Sequence, residues 1–88
     1  MIDITFSPEA IEDYEYWKYK NPLIIKRIKN LLTDISEHPY NGIGKPEKLK
    51  YELSGKWSRR INSRHRIVYI VREFDIYILA LRYHYSKR

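Results

Sequence analysis

The chain has no cysteine, one methionine, three glycines and four prolines among its 88 residues. Without thiols, disulfide stapling and thiolate metal sites are excluded, and nothing in the composition calls for an oxidising compartment. No run approaches the roughly 20 apolar residues of a membrane-spanning helix. The opening MIDITFSPEAIEDYEYW has neither the basic head nor the apolar stretch that directs secretion, so a cytoplasmic protein with no membrane association is expected. A phosphate-cradling loop ending in Lys-Ser or Lys-Thr is also missing. Gly42 and Gly44 are loop glycines without the rest of that motif, which leaves nucleotide hydrolysis unsupported. Internal repeats and low-complexity tracts are lacking too. What is left is one domain, residues 1–88, with a small core.

Acids are scarce in the second half of the chain. Residues 1–44 carry five bases against seven acids and residues 45–88 twelve against four, so the halves sum to −2 and +8. That asymmetry predicts a basic face built by the second half and supported by the first. The charge is densest in Lys45 to Tyr69, KPEKLKYELSGKWSRRINSRHRIVY, which holds eight Lys or Arg and only two acids, Glu47 and Glu52. There Arg59, Arg60, Arg64 and Arg66 alternate with Trp57, Ile61, Ile67 and Tyr69. Cations interleaved with aromatic and β-branched residues suit a nucleic acid, which offers phosphates to the first and flat bases to the second. The stretch lacks the helical moment of a membrane-surface segment.

Ile2, Ile4 and Phe6 alternate with Asp3 and Thr5, the period of a strand with one buried face. Ser7-Pro8-Glu9 then combines a capping hydroxyl, a proline at the first helical position and an acid in the first turn. A helix is expected to about Lys20, with Ala10 or Ile11, Tyr14, Trp17 and Tyr16 inward and Glu12, Asp13 and Glu15 in solvent. Asn21-Pro22 repeats the start signal, and Ile24, Ile28, Leu31, Leu32 and Ile35 form the apolar stripe of a second helix over 22–37. His38-Pro39 ends it. After the loop 41–46, strands are expected at Lys50 to Leu53, Trp57 to Asn62, Arg66 to Val71 and Ile76 to Tyr83. The predicted fold is α+β, a helical hairpin packed on a twisted antiparallel sheet.

A basic surface can also cut RNA without a metal. One group must take the 2′-hydroxyl proton, another must protonate the leaving 5′-oxygen, and cations must stabilise the phosphorane-like transition state. Glu47 lies among Lys45, Lys48 and Lys50, which favour its ionised, proton-accepting form, although a surface ion pair is the simpler use of such a residue. His84, after Arg82 and between Tyr83 and Tyr85, is a candidate acid, set against a frayed terminal tail. His38 at a helix end and His65 in a turn compete for that role. Three scattered histidines make no metal site, so neither metal nor other cofactor is expected. Ser54, Ser58, Ser63 and Ser86 have no His-acid partnership for nucleophilic catalysis.

Four ordered blocks carry a family resemblance: Gly44-Lys45-Pro46-Glu47 with Leu49-Lys50, Leu53-Ser54-Gly55 with Trp57-Ser58-Arg59-Arg60-Ile61, His65-Arg66 with Val68-Tyr69, and Arg82-Tyr83-His84-Tyr85. At this spacing the chain resembles the YoeB-type toxins of the RelE superfamily of bacterial toxin–antitoxin systems over nearly its whole length. The resemblance implies a microbial RNase-like fold and an endoribonuclease that cleaves mRNA in the ribosomal A site and arrests translation. It makes Glu47 the general base, His84 the general acid and Arg66 the cation on the scissile phosphate, with Lys50, Arg60 and Tyr85 as accessory RNA-binding positions. It implies mRNA and the ribosome as partners, with a YefM-type antitoxin whose acidic segment covers the basic cleft. A second copy of the chain is a further candidate partner, and operator DNA is expected only indirectly, through the antitoxin complex. Ser86-Lys87-Arg88 extends past the family motif, and Tyr51-Glu52 replaces a commoner polar pair. The alternative is a non-catalytic basic module that binds RNA or an acidic partner, and such a module should tolerate the loss of Glu47.

Overall fold

The structure, a computed structural model, describes residues 1–82; residues 83–88, with His84 and Tyr85 among them, lie outside the described residues. Strand β1 (Asp3–Phe6) leads into helix α1 (Pro8–Lys20). The Ser7 hydroxyl accepts from the Ala10 amide at 3.0 Å, and Pro8 takes the first helical position. A cap of this kind contributes about 1 kcal/mol. Asn21 then serves both helices. Its amide donates to the Trp17 carbonyl at 2.9 Å, closing α1, and its side chain accepts from the Leu23 amide at 3.2 Å, opening α2 (Pro22–Glu37). Both helices fall where the proline and capping signals put them.

Helix α2 buries Ile28, Leu31 and Ile35, and α1 buries Ala10 and Trp17, against Ile67, Tyr69, Ile76 and Ile78 of the sheet. Of the alternatives at the start of α1, Ala10 points inward and Ile11 outward. Asp13 does not face solvent as its charge suggests. It is buried, 6% exposed, and accepts from the Leu81 amide at 2.9 Å. A backbone donor at the end of the sheet offsets the desolvation that would otherwise keep a carboxylate at the surface.

The sheet has five strands in the order β1-β5-β4-β3-β2, with β2 at Glu47–Lys48, β3 at Trp57–Arg60, β4 at Arg66–Val71 and β5 at Asp75–Ala80. Strands β2 to β5 form the expected antiparallel meander, but β1 pairs parallel to β5, so the sheet is mixed. Local turns dictate antiparallel pairing only between neighbours in sequence. The helical hairpin and three further strands separate β1 from β5, and that long connection allows a parallel pair. No strand forms over Lys50 to Leu53: Tyr51–Leu53 is a 3-10 turn. Tyr51 has φ +58°, a left-handed conformation that cannot continue a strand, and the pairing shifts upstream to Glu47 and Lys48. Opposite Val68 and Tyr69, β5 carries one extra residue, Leu79. This bulge lets Leu79 and Ala80 both pack with Leu49, Leu53 and Val68 on the outer face before Leu81 returns to the core. Among the described residues no helix is long and apolar enough to cross a membrane.

Candidate active site

Side chains alternate across a sheet, and residues directly opposite one another share a face. Trp57, Ile67 and Tyr69 pack toward the helices, whereas Val68 and Ala80 belong to a separate cluster on the outer side. In the register, Glu47 lies opposite Ser58, Ser58 opposite Val68, and Arg60 opposite Arg66. Glu47, Arg60 and Arg66 therefore share the outer face, spread over β2, β3 and β4. From strand spacing and rise, the Cα atoms of Glu47 and Arg66 are about 12 Å apart. Long side chains reaching inward from both ends can meet on a group the size of a phosphodiester.

Glu47 is exposed on the edge strand, and among the described residues it forms no ion pair, although Lys45, Lys48 and Lys50 flank it. Lys45, at φ +51°, and Tyr51 stand in left-handed conformations on either side of the segment that presents Glu47 and Lys50. Lys50 and Arg60 are exposed. Arg66 is 9% exposed and donates through Nη1 to the Asn62 carbonyl at 3.4 Å, which keeps its guanidinium at the end of the β3–β4 hairpin. His84 and Tyr85, assigned to this site by resemblance, lie outside the described residues.

Arg59 does not belong to the basic face. It is fully buried under the loop that follows α2, where each of its five donors finds an acceptor. Nε donates to the Tyr69 hydroxyl at 3.2 Å, and Nη1 to Asp34 at 2.5 Å and the Ile43 carbonyl at 3.1 Å. Nη2 donates to the Asn41 carbonyl at 2.8 Å and to that of His38. Burial pushes the Asp34 carboxyl up, but the Arg59 hydrogen bond, the Ile43 amide and the charges of Arg59 and His38 together hold it below its ordinary value. Burial raises the Tyr69 hydroxyl above its usual range against the opposing bond from Arg59, and that hydroxyl donates to the Pro39 carbonyl at 2.7 Å. The loop closes tightly over this pair. Gly42, at φ +122°, lies where a Cβ would come within 1.9 Å of Asp34 Oδ2. Arg59 thus fixes the segment that feeds Gly44-Lys45-Pro46-Glu47 into β2.

His65 is not a solvated turn residue. It is half-buried edge-on against Trp17, with ring centroids 4.8 Å apart, and burial together with Arg64 and Arg82 lowers its pKa. His38 is exposed at the end of α2, as expected. Sequence reasoning missed Asp13 as a contact of the sheet end. A signal was present: Asp13 and Trp17 are four residues apart, and so occupy one face of α1 with the buried Ala10.

The class these features define is a small α+β domain, a helical hairpin on a mixed sheet whose outer face gathers a carboxylate and two guanidiniums. Residues 6–85 match the family model described as YoeB-like toxin of bacterial type II toxin-antitoxin system. Toxin YoeB of Escherichia coli (strain K12) is 46% identical over 82 residues, which is 93% of this chain and 98% of that protein. The YoeB dimer from Staphylococcus aureus is 48% identical with a TM-score of 0.88, over 96% of this chain and 98% of that one. The YoeB–YefM complex from the same organism is 49% identical with a TM-score of 0.86, over 97% and 99%. This chain belongs to the YoeB-like family of toxins of bacterial type II toxin–antitoxin systems.

Proposed function

We propose that residues 1–88 act as one cytoplasmic endoribonuclease domain that cleaves mRNA in the ribosomal A site and so inhibits translation, without a metal or other cofactor. The observation that carries the reading is the shared outer face: Glu47, with no ion pair among the described residues, stands across from Arg66 and Arg60. Glu47 takes the 2′-hydroxyl proton, and the 2′-oxygen attacks the adjacent phosphorus. Arg66 stabilises the charge that gathers on the phosphate oxygens, for which its planar fork is suited. His84 protonates the departing 5′-oxygen. The products are a 2′,3′-cyclic phosphate, or its 3′-phosphate hydrolysis product, and a 5′-hydroxyl. Lys50, Arg60 and Tyr85 bind the RNA around the reacting bond. The ribosome contributes by holding the 2′-oxygen in line with the leaving group. A YefM-type antitoxin would cover the same basic face, and assembly with a second copy would follow the pattern of the S. aureus relative.

Single-turnover cleavage on programmed ribosomes, with analysis of the fragment ends, tests the mechanism. Glu47→Ala and His84→Ala are each expected to slow cleavage by roughly 10² to 10⁴ with little change in ribosome binding, and chelators are expected to have no effect. Arg66→Ala should slow cleavage at every pH tried, since a lost charge is not restored by titration. A 5′-phosphate on the downstream fragment would overturn the assignment. So would full activity in Glu47→Ala, and a basic module that binds without cutting would then be the better reading.

A further inference from the structure

Helix α1 does more than cover the sheet. Asp13 and Trp17, one turn apart, hold both backbone polar groups of a single residue. Asp13 Oδ2 accepts from the Leu81 amide at 2.9 Å, and Trp17 Nε1 donates to the Leu81 carbonyl at 2.8 Å. Leu81 follows directly after β5, which ends at Ala80, so no strand partner is needed to satisfy these two groups. Its side chain is fully buried, and Trp17 is 6% exposed. The hold continues one residue further. The Arg82 guanidinium lies 3.5 Å from the centre of the Tyr16 ring. Three side chains of α1 thus fix two consecutive residues where the chain leaves the sheet.

A buried carboxylate and an indole N–H are a costly way to end a strand, because each must give up water for partners held in fixed positions. Placing both on one residue restrains its peptide planes as well as its position. The Leu81 peptide planes therefore set the direction in which the chain leaves the sheet. His84 follows Leu81 by three positions in the sequence.

We propose that Asp13 and Trp17 are positioning residues of the reaction, fixing the Leu81 peptide, and with it the direction in which the chain leaves the sheet, three positions ahead of His84 in the sequence. The inference rests on the acid role of His84 in the function proposed above. Neither residue needs to touch RNA for this.

A double-mutant cycle on programmed ribosomes separates positioning from a general structural effect. Asp13→Ala should slow single-turnover cleavage by about 10²-fold, the scale of a 1 Å misplacement, without changing the ribosome concentration that gives half the maximal rate. Asp13→Asn, which keeps the acceptor oxygen, should restore most of the rate. Trp17→Phe keeps a ring in the core but removes the donor, and it serves as a second test should Asp13→Ala fail to fold. In a His84→Ala background, Asp13→Ala and Trp17→Phe should cost nothing further, because the group that depends on them is gone. Slowing by the same factor in both backgrounds, or an unslowed Trp17→Phe, would overturn the positioning role alone. Full activity in His84→Ala would overturn it together with the acid assignment.

Discussion

A guanidinium taken fully out of water is tolerated only when its donors are all met, and Arg59 meets that condition with five acceptors for five N–H groups. Only one of the five partners carries a formal charge, Asp34, so the site is a hydrogen-bond socket more than an ion pair. Lysine could supply the charge but not the planar fork. Arg59→Lys is therefore expected to destabilise the fold by about 3 kcal/mol, the lower end of the cost of breaking a buried pair, as read from urea denaturation. A loss below about 1 kcal/mol would mean that the socket reorganises around the ammonium. Charge and alternation are legible in the sequence here, but depth is not. Trp57, Arg59 and Ile61 share a parity, and that parity is the helix-facing side, so charge alone groups Arg59 with the wrong arginines. Asp13 is misread for the same reason: a carboxylate on a helix is normally solvated, and its partner is a backbone amide 68 residues away. Only the strand register puts Glu47, Arg60 and Arg66 on one face.

Among the elements, the local ones are legible and the distant ones are not. Ser7-Pro8 and Asn21-Pro22 announce α1 and α2 because caps act within a few residues. The parallel pairing of β1 with β5 leaves no such trace. Its outer edge is held by Asp75, which accepts from Arg72 Nε at 2.7 Å, from Arg72 Nη2 at 2.6 Å and from the Thr5 hydroxyl of β1 at 2.7 Å. The Arg72 bonds, and then the Thr5 bond, lower its pKa from the ordinary 3.8 to about 2. A carboxylate lowered by folding contributes stability that is fully present above its unfolded value and is lost as pH falls through its folded one. The window for this contribution is therefore from about 4 down through about 2. Asp75→Asn should lower the melting temperature near pH 5, and the gap to the unsubstituted protein should narrow as melts are taken toward about pH 2. A gap that stays constant over that range would show that the bonds to Arg72 and Thr5 do not depend on the charge of Asp75.

For the molecule as a whole, the distribution of charge matters more than its sum. The net charge is +6, but β1 and the two helices come from the half that sums to −2, and strands β2 to β5 from the half that sums to +8. Two of the arginines in the basic half are committed elsewhere: Arg59 is buried in its socket, and Arg72 is paired with Asp75. Lys45, Lys48, Lys50, Arg60 and Arg64 are exposed between Gly44 and Arg66. Binding of a short single-stranded RNA should therefore depend on where a charge lies. Replacing both Lys50 and Arg60 by Glu, or both Lys26 and Lys29 on the exposed side of α2, changes the net charge equally. If the outer face carries the RNA, the first pair should weaken binding and flatten the dependence of log Kd on log salt by about 1.4, at about 0.7 for each phosphate no longer neutralised. The second pair should leave that slope unchanged. Equal weakening and equal slopes in the two variants would show that RNA responds to the overall field of the protein, and the outer face would lose its claim as the RNA-binding surface.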